Sequence, residues 1–479
     1  MLDLKENNTK FIKDLGWYLF GTLISMGIGF IKTPIFTRYF TPEEYGYLGI
    51  ITITFSYISV FIYSWLASCL WRYYNAFKIK NDLKSLYSNM FSIFLSVSLL
   101  LLIISSIWYF LAENKTVKQL ILLSFLLYFI KEFIGLYLII IRLEGKALKY
   151  NLIHSLRAVL NFVLLYLMTF GYGYRITSVL ISVIIIDVIV LLFIFLTNKE
   201  NISFSIRNIS SNILKMLFKF GSVGLITGFC YLLITSSDRY IIALFTDMST
   251  VGIYNQVYNI CQLSIIALIT VYFNTINPSL NKELEVNFEN SDYLISKYIY
   301  IFLLFGLPLV TYFCLFSKEM AIILLGEEFR SGDTIMPWIF LSAFLYGLVM
   351  FIELKFKFAN KLKAIAIGMS IIAVLNIILN FIFIPLYSYK MAAITTFISY
   401  LFLFVYFYSQ DSVSFFKNHK NVKHVILFIT ILFIQVVADL IIRKYFFISI
   451  FYTVVEGFVF LLIYLVILQK YIKKINVPM

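Results

Sequence analysis

Fourteen long apolar runs separated by short polar breaks account for most of the chain. They lie near residues 12–34, 44–67, 86–111, 117–142, 149–171, 175–197, 215–237, 251–275, 294–316, 334–354, 364–386, 389–408, 423–442 and 446–468. Each has about the ~20 residues that an α-helix needs to cross ~30 Å of hydrocarbon. The pattern predicts an all-α, polytopic integral membrane protein of about 14 transmembrane helices, with no soluble domain. Composition agrees: 61% of the 479 residues are hydrophobic and 13% charged, and the mean hydropathy is +0.91, outside the range of soluble domains.

The polar breaks repeat an order. The first run closes on Thr37-Arg38-Tyr39-Phe40, a turn Thr41-Pro42-Glu43-Glu44 follows, and Tyr45-Gly46-Tyr47 opens the second run. The seventh closes on Ser236-Ser237-Asp238-Arg239-Tyr240, and Val251-Gly252-Ile253-Tyr254 opens the eighth. Arg and Gly stand eight residues apart in the first copy and thirteen in the second, so order is shared and spacing is not. Two parallel repeats of six helices are expected, because six is even and both copies then start on one side. This gives an N-lobe at 1–197 (helices 1–6), a cytoplasmic connector at 198–214, a C-lobe at 215–408 (helices 7–12), and helices 13–14 with a cytoplasmic tail at 409–479. The lobes are expected to be pseudo-symmetric.

The net charge of +14 follows topology. Lys and Arg crowd the loops on the N-terminal side, as in Arg72/Lys78/Lys80/Lys84, Lys355/Lys357/Lys361/Lys363 and Lys417/Lys420/Lys423. The positive-inside rule therefore puts both termini in the cytoplasm. The basic face would attract membrane lipids with anionic head groups, and no nucleic acid is needed to explain it. The polar start, Met1 to Asp14, leads into a run too long for a signal-peptide core, so that run is expected to stay as the first helix. Rich usage of Ile, Phe, Tyr, Asn and Lys points to an AT-rich genome and a bacterial inner membrane.

Catalytic chemistry is sparse. The four cysteines lie in or beside apolar runs with no Cys-x-x-Cys spacing, and read as small hydrophobes. Of the three histidines, His419 and His424 share a basic loop and His154 lies near a helix end. No metal-ligand spacing, phosphate loop or nucleophile elbow occurs, so neither an enzyme nor a bound metal or organic cofactor is expected.

What remains is charge inside the apolar runs. Lys131-Glu132 lies near the middle of helix 4, and Asp187 at mid-depth in helix 6. On helix 5, His154, Arg157 and Asn161 fall on one face. A charge at the bilayer centre costs ~2.5–3.5 kcal/mol on insertion scales unless it faces protein or water. Two readings stand side by side: a neutralised set in which Glu132 and Asp187 pair with Lys131 and Arg157, and the lining of a cavity. Asn376 and Asn380, one turn apart in helix 11, are further candidates. Asp238-Arg239 is expected at the outer end of helix 7, as a rim contact or a polar lock.

The motifs Arg38-Tyr39-Phe40-Thr41-Pro42-Glu43-Glu44-Tyr45-Gly46 and Ser237-Asp238-Arg239-Tyr240 with Val251-Gly252-Ile253-Tyr254-Asn255 resemble those of the polysaccharide-biosynthesis flippases. These are the Wzx-type, polysaccharide-transporter branch of the multidrug/oligosaccharidyl-lipid/polysaccharide exporter superfamily. The resemblance implies two six-helix lobes around a cavity that opens alternately to each side. It implies a substrate of undecaprenyl-diphosphate-linked oligosaccharide repeat units for O-antigen of lipopolysaccharide, capsule or a related glycan. It also implies glycan polymerase or chain-length machinery as partners. Arg38, Lys131, Arg157 and Arg239, with Asn161, Asn376 and Asn380, are the substrate-cavity candidates, since cations and amides suit a diphosphate sugar. Glu132 and Asp187 are the candidates for proton or sodium coupling, and Asp238 is expected to fix Arg239. A multidrug or other small-molecule exporter of the same superfamily is the alternative, although helices 13 and 14 favour the polysaccharide branch. A membrane-embedded glycan polymerase or acyltransferase is the alternative from another class.

Overall fold

The computed structural model describes residues 2–197, 208–286, 288–359, 361–410, 419–445 and 450–472. Most of the connector expected at 198–214 therefore lies outside the described residues, as does the head of the 409–479 segment. The described chain is helical throughout and has no strand. Its helices are α1 (Leu2–Phe36), α2 (Pro42–Ser59), α3 (Trp65–Ile79), α4 (Leu83–Leu111), α5 (Lys115–Leu143), α6 (Ala147–Tyr166), α7 (Thr177–Thr197) and α8 (Ser211–Phe245). There follow α9 (Met248–Val286), α10 (Ser291–Leu315), the short α11 (Ser317–Leu324), α12 (Met336–Phe358), α13 (Leu362–Tyr387), α14 (Lys390–Gln410), α15 (His419–Tyr445) and α16 (Ile450–Ile472). Each of the fourteen apolar runs falls on helix, the last of them from Ile450 onward. Among the described residues nine helices are long and apolar enough to cross a membrane by themselves, or ten if the two parts of α8 count as one span.

Two boundaries differ from the sequence reading in ways that matter. The seventh run does not stop at Asp238-Arg239: α8 continues through Ile241-Ile242-Ala243-Leu244 to Phe245, leaving the charged pair inside the helix. The helix can continue because the two charges neutralise each other locally. The second run is broken in its last third by a π-helical turn, Val60–Ser64, between α2 and α3. Such a turn carries an extra residue and re-aims the side chains on either side of it.

The α1–α2 corner shows why its motif has that sequence. Thr41 caps α2 in extended conformation and Pro42 takes the first turn, where a missing N–H costs nothing. Thr41 Oγ1 accepts from the Glu44 N–H at 3.4 Å, and Glu44 Oε2 accepts from the Thr41 N–H at 3.0 Å, closing a capping box. Arg175 then donates to both Glu44 oxygens, at 2.9 and 2.7 Å, and stacks over Tyr39 at 5.5 Å. Glu44 thus ties the α1–α2 corner to the α6–α7 corner. Glu44→Ala should lower stability by about 1–2 kcal/mol, mostly the capping share, because the Arg175 side chain is 53% exposed and its pair is worth little. Arg175→Ala should cost clearly less. Thermal unfolding of the two variants in one detergent checks the ranking.

By contacts the chain forms two compact units, Met1–Gln256 with Met369–Ile377, and Val257–Gly368 with Ile378–Met479. In the first, α1 packs on α6, α5 on α7, α2 and α4 on α5, and α8 on α3. In the second, α12 packs on α14 and α10, and α10 on α15 and α16. The last two helices are fastened by polar contacts: Tyr464 donates to Leu304 O at 2.7 Å, Tyr312 to Gln435 Oε1 at 2.9 Å, and Arg443 bridges Glu319 and Asp439.

Candidate functional site

The polar residues of the first unit gather in two places. One lies at mid-span among α2, α5, α6 and α7. Arg157 of α6 donates to both oxygens of Asp187 on α7, at 2.8 and 2.7 Å. The Asp187 side chain is 2% exposed and that of Arg157 19%. One turn along the same α6 face, Asn161 donates to Ser182 of α7 at 3.0 Å. His154 sits one turn the other way, with its Nδ1 3.0 Å from Ser25 Oγ of α1. The α6 face that the sequence marked as polar therefore meets polar partners on two neighbouring helices.

Lys131 and Glu132 take different routes. Glu132 accepts from Ser59 at 2.7 Å, at the residue where α2 gives way to the π turn. One turn away along the α2–α5 seam, Ser56 and Tyr128 share a hydrogen bond of 2.6 Å, and the Tyr128 hydroxyl also reaches Thr52 O at 2.9 Å. Lys131 is exposed. Its ammonium lies 5.0 Å from the Tyr128 ring, and among the described residues it forms no ion pair. Of the four charges, Arg157 and Asp187 are thus paired as the neutralised-set reading expects, whereas Lys131 and Glu132 are not paired with each other. A cation–π contact with Tyr128 orients the lysine without cancelling its charge.

The second place is where α8 and the N-terminal turns of α2 and α9 meet. Asp238 is fully buried and Arg239 is 2% exposed. Asp238 Oδ1 accepts from the Arg239 N–H at 2.9 Å and from Arg239 Nη1 at 2.7 Å, and Oδ2 accepts from the Tyr254 hydroxyl at 2.5 Å. The Arg239 guanidinium lies over the Tyr254 ring at 5.0 Å and also donates to Thr235 O. Both side chains are buried, and these contacts lie within α8 or reach Tyr254 of α9. Arg38 differs: it is exposed, and its Nη1 donates to Pro34 O at 2.6 Å. The two repeat-related arginines therefore occupy opposite environments, one on the surface and one in the core.

Around this pair α2 and α9 cross with backbones in contact. A Cβ on Gly46 would stand 1.9 Å from Met248 O, and one on Gly252 1.8 Å from Pro42 O. Each glycine is the fifth residue of its helix and faces the first residue of the other. The contact is thus reciprocal, as a two-fold relation between the two repeats requires. Nearby, Thr54 and Tyr240 share a hydrogen bond of 2.5 Å, and Tyr57 donates to Leu232 O at 3.1 Å.

Asn376, which belongs to the first unit, and Asn380, which belongs to the second, are both fully buried. Asn380 accepts a hydrogen bond from Thr395 of α14. The sequence offered no sign of Ser59 or Thr54, and it held Tyr240 and Tyr254 within its motifs without assigning them a role. Tyr254 stands inside the Val-Gly-Ile-Tyr motif, and its distance from Asp238 along the chain hid their contact. Ser59 had no signal, because nothing in an apolar run announces a π turn.

A family model described as "Polysaccharide biosynthesis protein" matches residues 11–280. No curated protein matches the chain by sequence. Among solved structures, the lipid II flippase MurJ in an inward closed conformation superposes with a TM-score of 0.75 at 16% identity, covering 95% of this chain and 98% of that one. An inward-facing multidrug resistance MATE family transporter of the MOP superfamily gives 0.62 at 16% identity, covering 84% and 96%. An outward-facing structure of such a transporter gives 0.59 at 16% identity, covering 86% and 96%.

Proposed function

This chain belongs to the polysaccharide biosynthesis protein family, and from that premise we propose that it is a flippase for undecaprenyl-diphosphate-linked oligosaccharide repeat units, moving them from the inner to the outer leaflet by alternating access. The glycan would be O-antigen, capsule or a related polymer, the membrane the bacterial inner membrane, and both termini cytoplasmic. The segments 1–197 and 215–408 would be the two moving lobes.

The observation that carries this reading is Lys131. It is an exposed ammonium at the middle of a membrane-spanning helix, a position that lipid makes expensive. The other cation at this depth, Arg157, is already matched by Asp187. Lys131 is the exposed cation of the set, and it lies beside the Tyr128 ring and near the hydroxyls of Ser56 and Ser59 that bond Tyr128 and Glu132, groups suited to an anionic, hydroxyl-rich head group. Glu132, held by one serine hydroxyl, is better placed than the arginine-bound Asp187 to exchange a proton or sodium ion. The family's name favours a lipid-linked glycan over a small-molecule exporter, and the fastening of α15 and α16 onto α10 makes those helices part of the second unit.

Deleting the gene should leave lipid-linked repeat units on the inner leaflet and remove the surface glycan. An unchanged surface glycan with no accumulated intermediate would sink the proposal. In the complemented strain, Lys131→Ala should abolish most export at normal membrane levels and Lys131→Arg should retain much of it. Asp187→Ala should instead lower the amount of folded protein, because it leaves the partly buried Arg157 without its carboxylate partner, a loss at or below the about 3–5 kcal/mol of a fully buried pair. Quantitative blotting of membranes beside surface-glycan staining separates the two effects.

A further inference from the structure

Away from the mid-span polar residues, α3, α4 and the start of α8 frame an open-sided groove of about 730 Å³. Its walls are apolar: Trp65 of α3, Ile93 and Val97 of α4, and Leu214 and Phe218 of α8. Lys215 and Lys219 complete the lining. Leu214 and Phe218 stand four residues apart, as do Lys215 and Lys219. On α8 an apolar row and a basic row therefore run side by side.

Specific contacts hold the walls. The Asn89 amide of α4 donates to Asn208 O at 2.9 Å and accepts from the Ser210 N–H at 2.9 Å, which fastens the head of α8 to α4. On the other side the Cys69 thiol of α3 donates to Leu217 O at 3.3 Å. A Cβ on Gly221 would stand 2.4 Å from Trp65 Cε3, so α8 lies directly against the indole. The indole N–H is turned to Phe61 O at 3.1 Å, within the π turn that precedes it. Its ring meets Phe218 edge to face, with centroids 6.0 Å apart.

Two features point to a ligand with a charged end and a long apolar end. Lys215 opens the seventh apolar run and is exposed, which puts its ammonium where hydrocarbon gives way to head groups. Ile93 and Val97 stand well inside the third run, so the apolar wall leads from that edge toward mid-membrane. The volume falls in the ~300–1,000 Å³ range of small-molecule sites. Among the lining residues the polar groups are the two lysines and an indole N–H already bonded to Phe61 O. A sugar head group needs hydroxyl or amide partners, so this lining suits a plain phosphate better than a glycosyl diphosphate.

We propose that the groove binds an anionic phospholipid of the bilayer, with one acyl chain along Trp65, Ile93 and Val97 and the phosphate on Lys215. Lys219 adds positive charge along the same edge. The α8 residues of the lining all precede a bend, since the part Ser211–Gly221 meets the part Leu225–Phe245 at 41°. A lipid seated here fastens the short part to α3 and α4, so binding also stabilises the fold. The inference needs the membrane-spanning fold and not the flippase reading.

The test titrates lipids into the full-length protein in detergent and follows bound molecules by native mass spectrometry. The probes are phosphatidylglycerol and phosphatidylcholine with identical chains, and undecaprenyl phosphate. Wild type should hold phosphatidylglycerol about tenfold or more tightly than phosphatidylcholine, the scale of two basic side chains at a head group. Lys215→Gln/Lys219→Gln should bring the two lipids within about twofold of each other, because that charge is gone. Val97→Phe fills the groove and keeps both lysines. It should weaken both phospholipids several-fold, and phosphatidylglycerol should no longer raise its unfolding temperature as it does for wild type. If Val97→Phe folds poorly, the lysine variant, which alters exposed side chains only, decides the matter. Equal binding of the two phospholipids by wild type, or unchanged selectivity in the lysine variant, would overturn the site. So would a folded Val97→Phe protein that binds as wild type does. Displacement of phosphatidylglycerol by an equal concentration of undecaprenyl phosphate, lost in the lysine variant, would assign the groove to a polyprenyl phosphate and overturn the phospholipid as its occupant.

Discussion

Gly252→Ala should be among the most damaging single-methyl changes in the molecule. The added carbon would sit 1.8 Å from Pro42 O, 2.7 Å from the Pro42 carbonyl carbon and 2.9 Å from Gly46 N. All three are backbone atoms in the first turns of α2, so no side chain can rotate away. The helices must separate, and the loss should reach or exceed the ~1–3 kcal/mol usual for overpacking. Gly46→Ala meets Met248 O in the same way and should cost a similar amount. The reciprocal geometry also predicts the double variant. Once one methyl has pushed the helix ends apart, the second has room, so Gly46→Ala/Gly252→Ala should lie well short of the sum of the singles. Thermal unfolding of the four proteins in one lipid or detergent system reads this directly. Additive losses, or a Gly252→Ala protein that melts with the wild type, would show that the crossing is looser than described.

These glycines show what the sequence carries and what it hides. The polar breaks made the helix count readable, because bilayer thickness fixes the length of every apolar run. The Gly46 and Gly252 motifs were visible as a repeated order, yet their purpose was not, since sequence does not say which helix ends touch. The same limit explains the charges. Helical spacing put His154, Arg157 and Asn161 on one face correctly, and the pairing of Arg157 with Asp187 follows once α6 and α7 are neighbours. Lys131 and Glu132 are adjacent and so cannot share one direction on a helix. Glu132 found Ser59 through a π turn that no periodicity predicts. Arg38 and Arg239, matched by motif, diverged because α8 runs two turns past Arg239 and buries it, while Arg38 follows the last full turn of α1.

Asp238→Ala should destabilise the protein by about 3–5 kcal/mol, the usual result of stranding a buried charge. Arg239 is 2% exposed, and its guanidinium would keep only the Thr235 carbonyl and the Tyr254 ring among the contacts described above. Arg239→Ala should cost a comparable amount, because among the described residues Asp238 would retain only the Tyr254 hydroxyl as a side-chain donor. Removing both charges should cost less than either single change suggests, since an ion pair this deep is stabilised against its own desolvation more than it stabilises the fold. Tyr254→Phe removes one donor to a carboxylate that has two others, and should cost about 1.5–3 kcal/mol, the value of a hydrogen bond to a charged group. If the pair serves only as a lock, the double variant should recover both folded protein and glycan export relative to Asp238→Ala. Recovered folding with export still absent would instead show that Arg239 meets the diphosphate during the cycle. Arg72→Ala, at an exposed position on α3, should leave export near normal in the same assay and sets the baseline for reading the other variants.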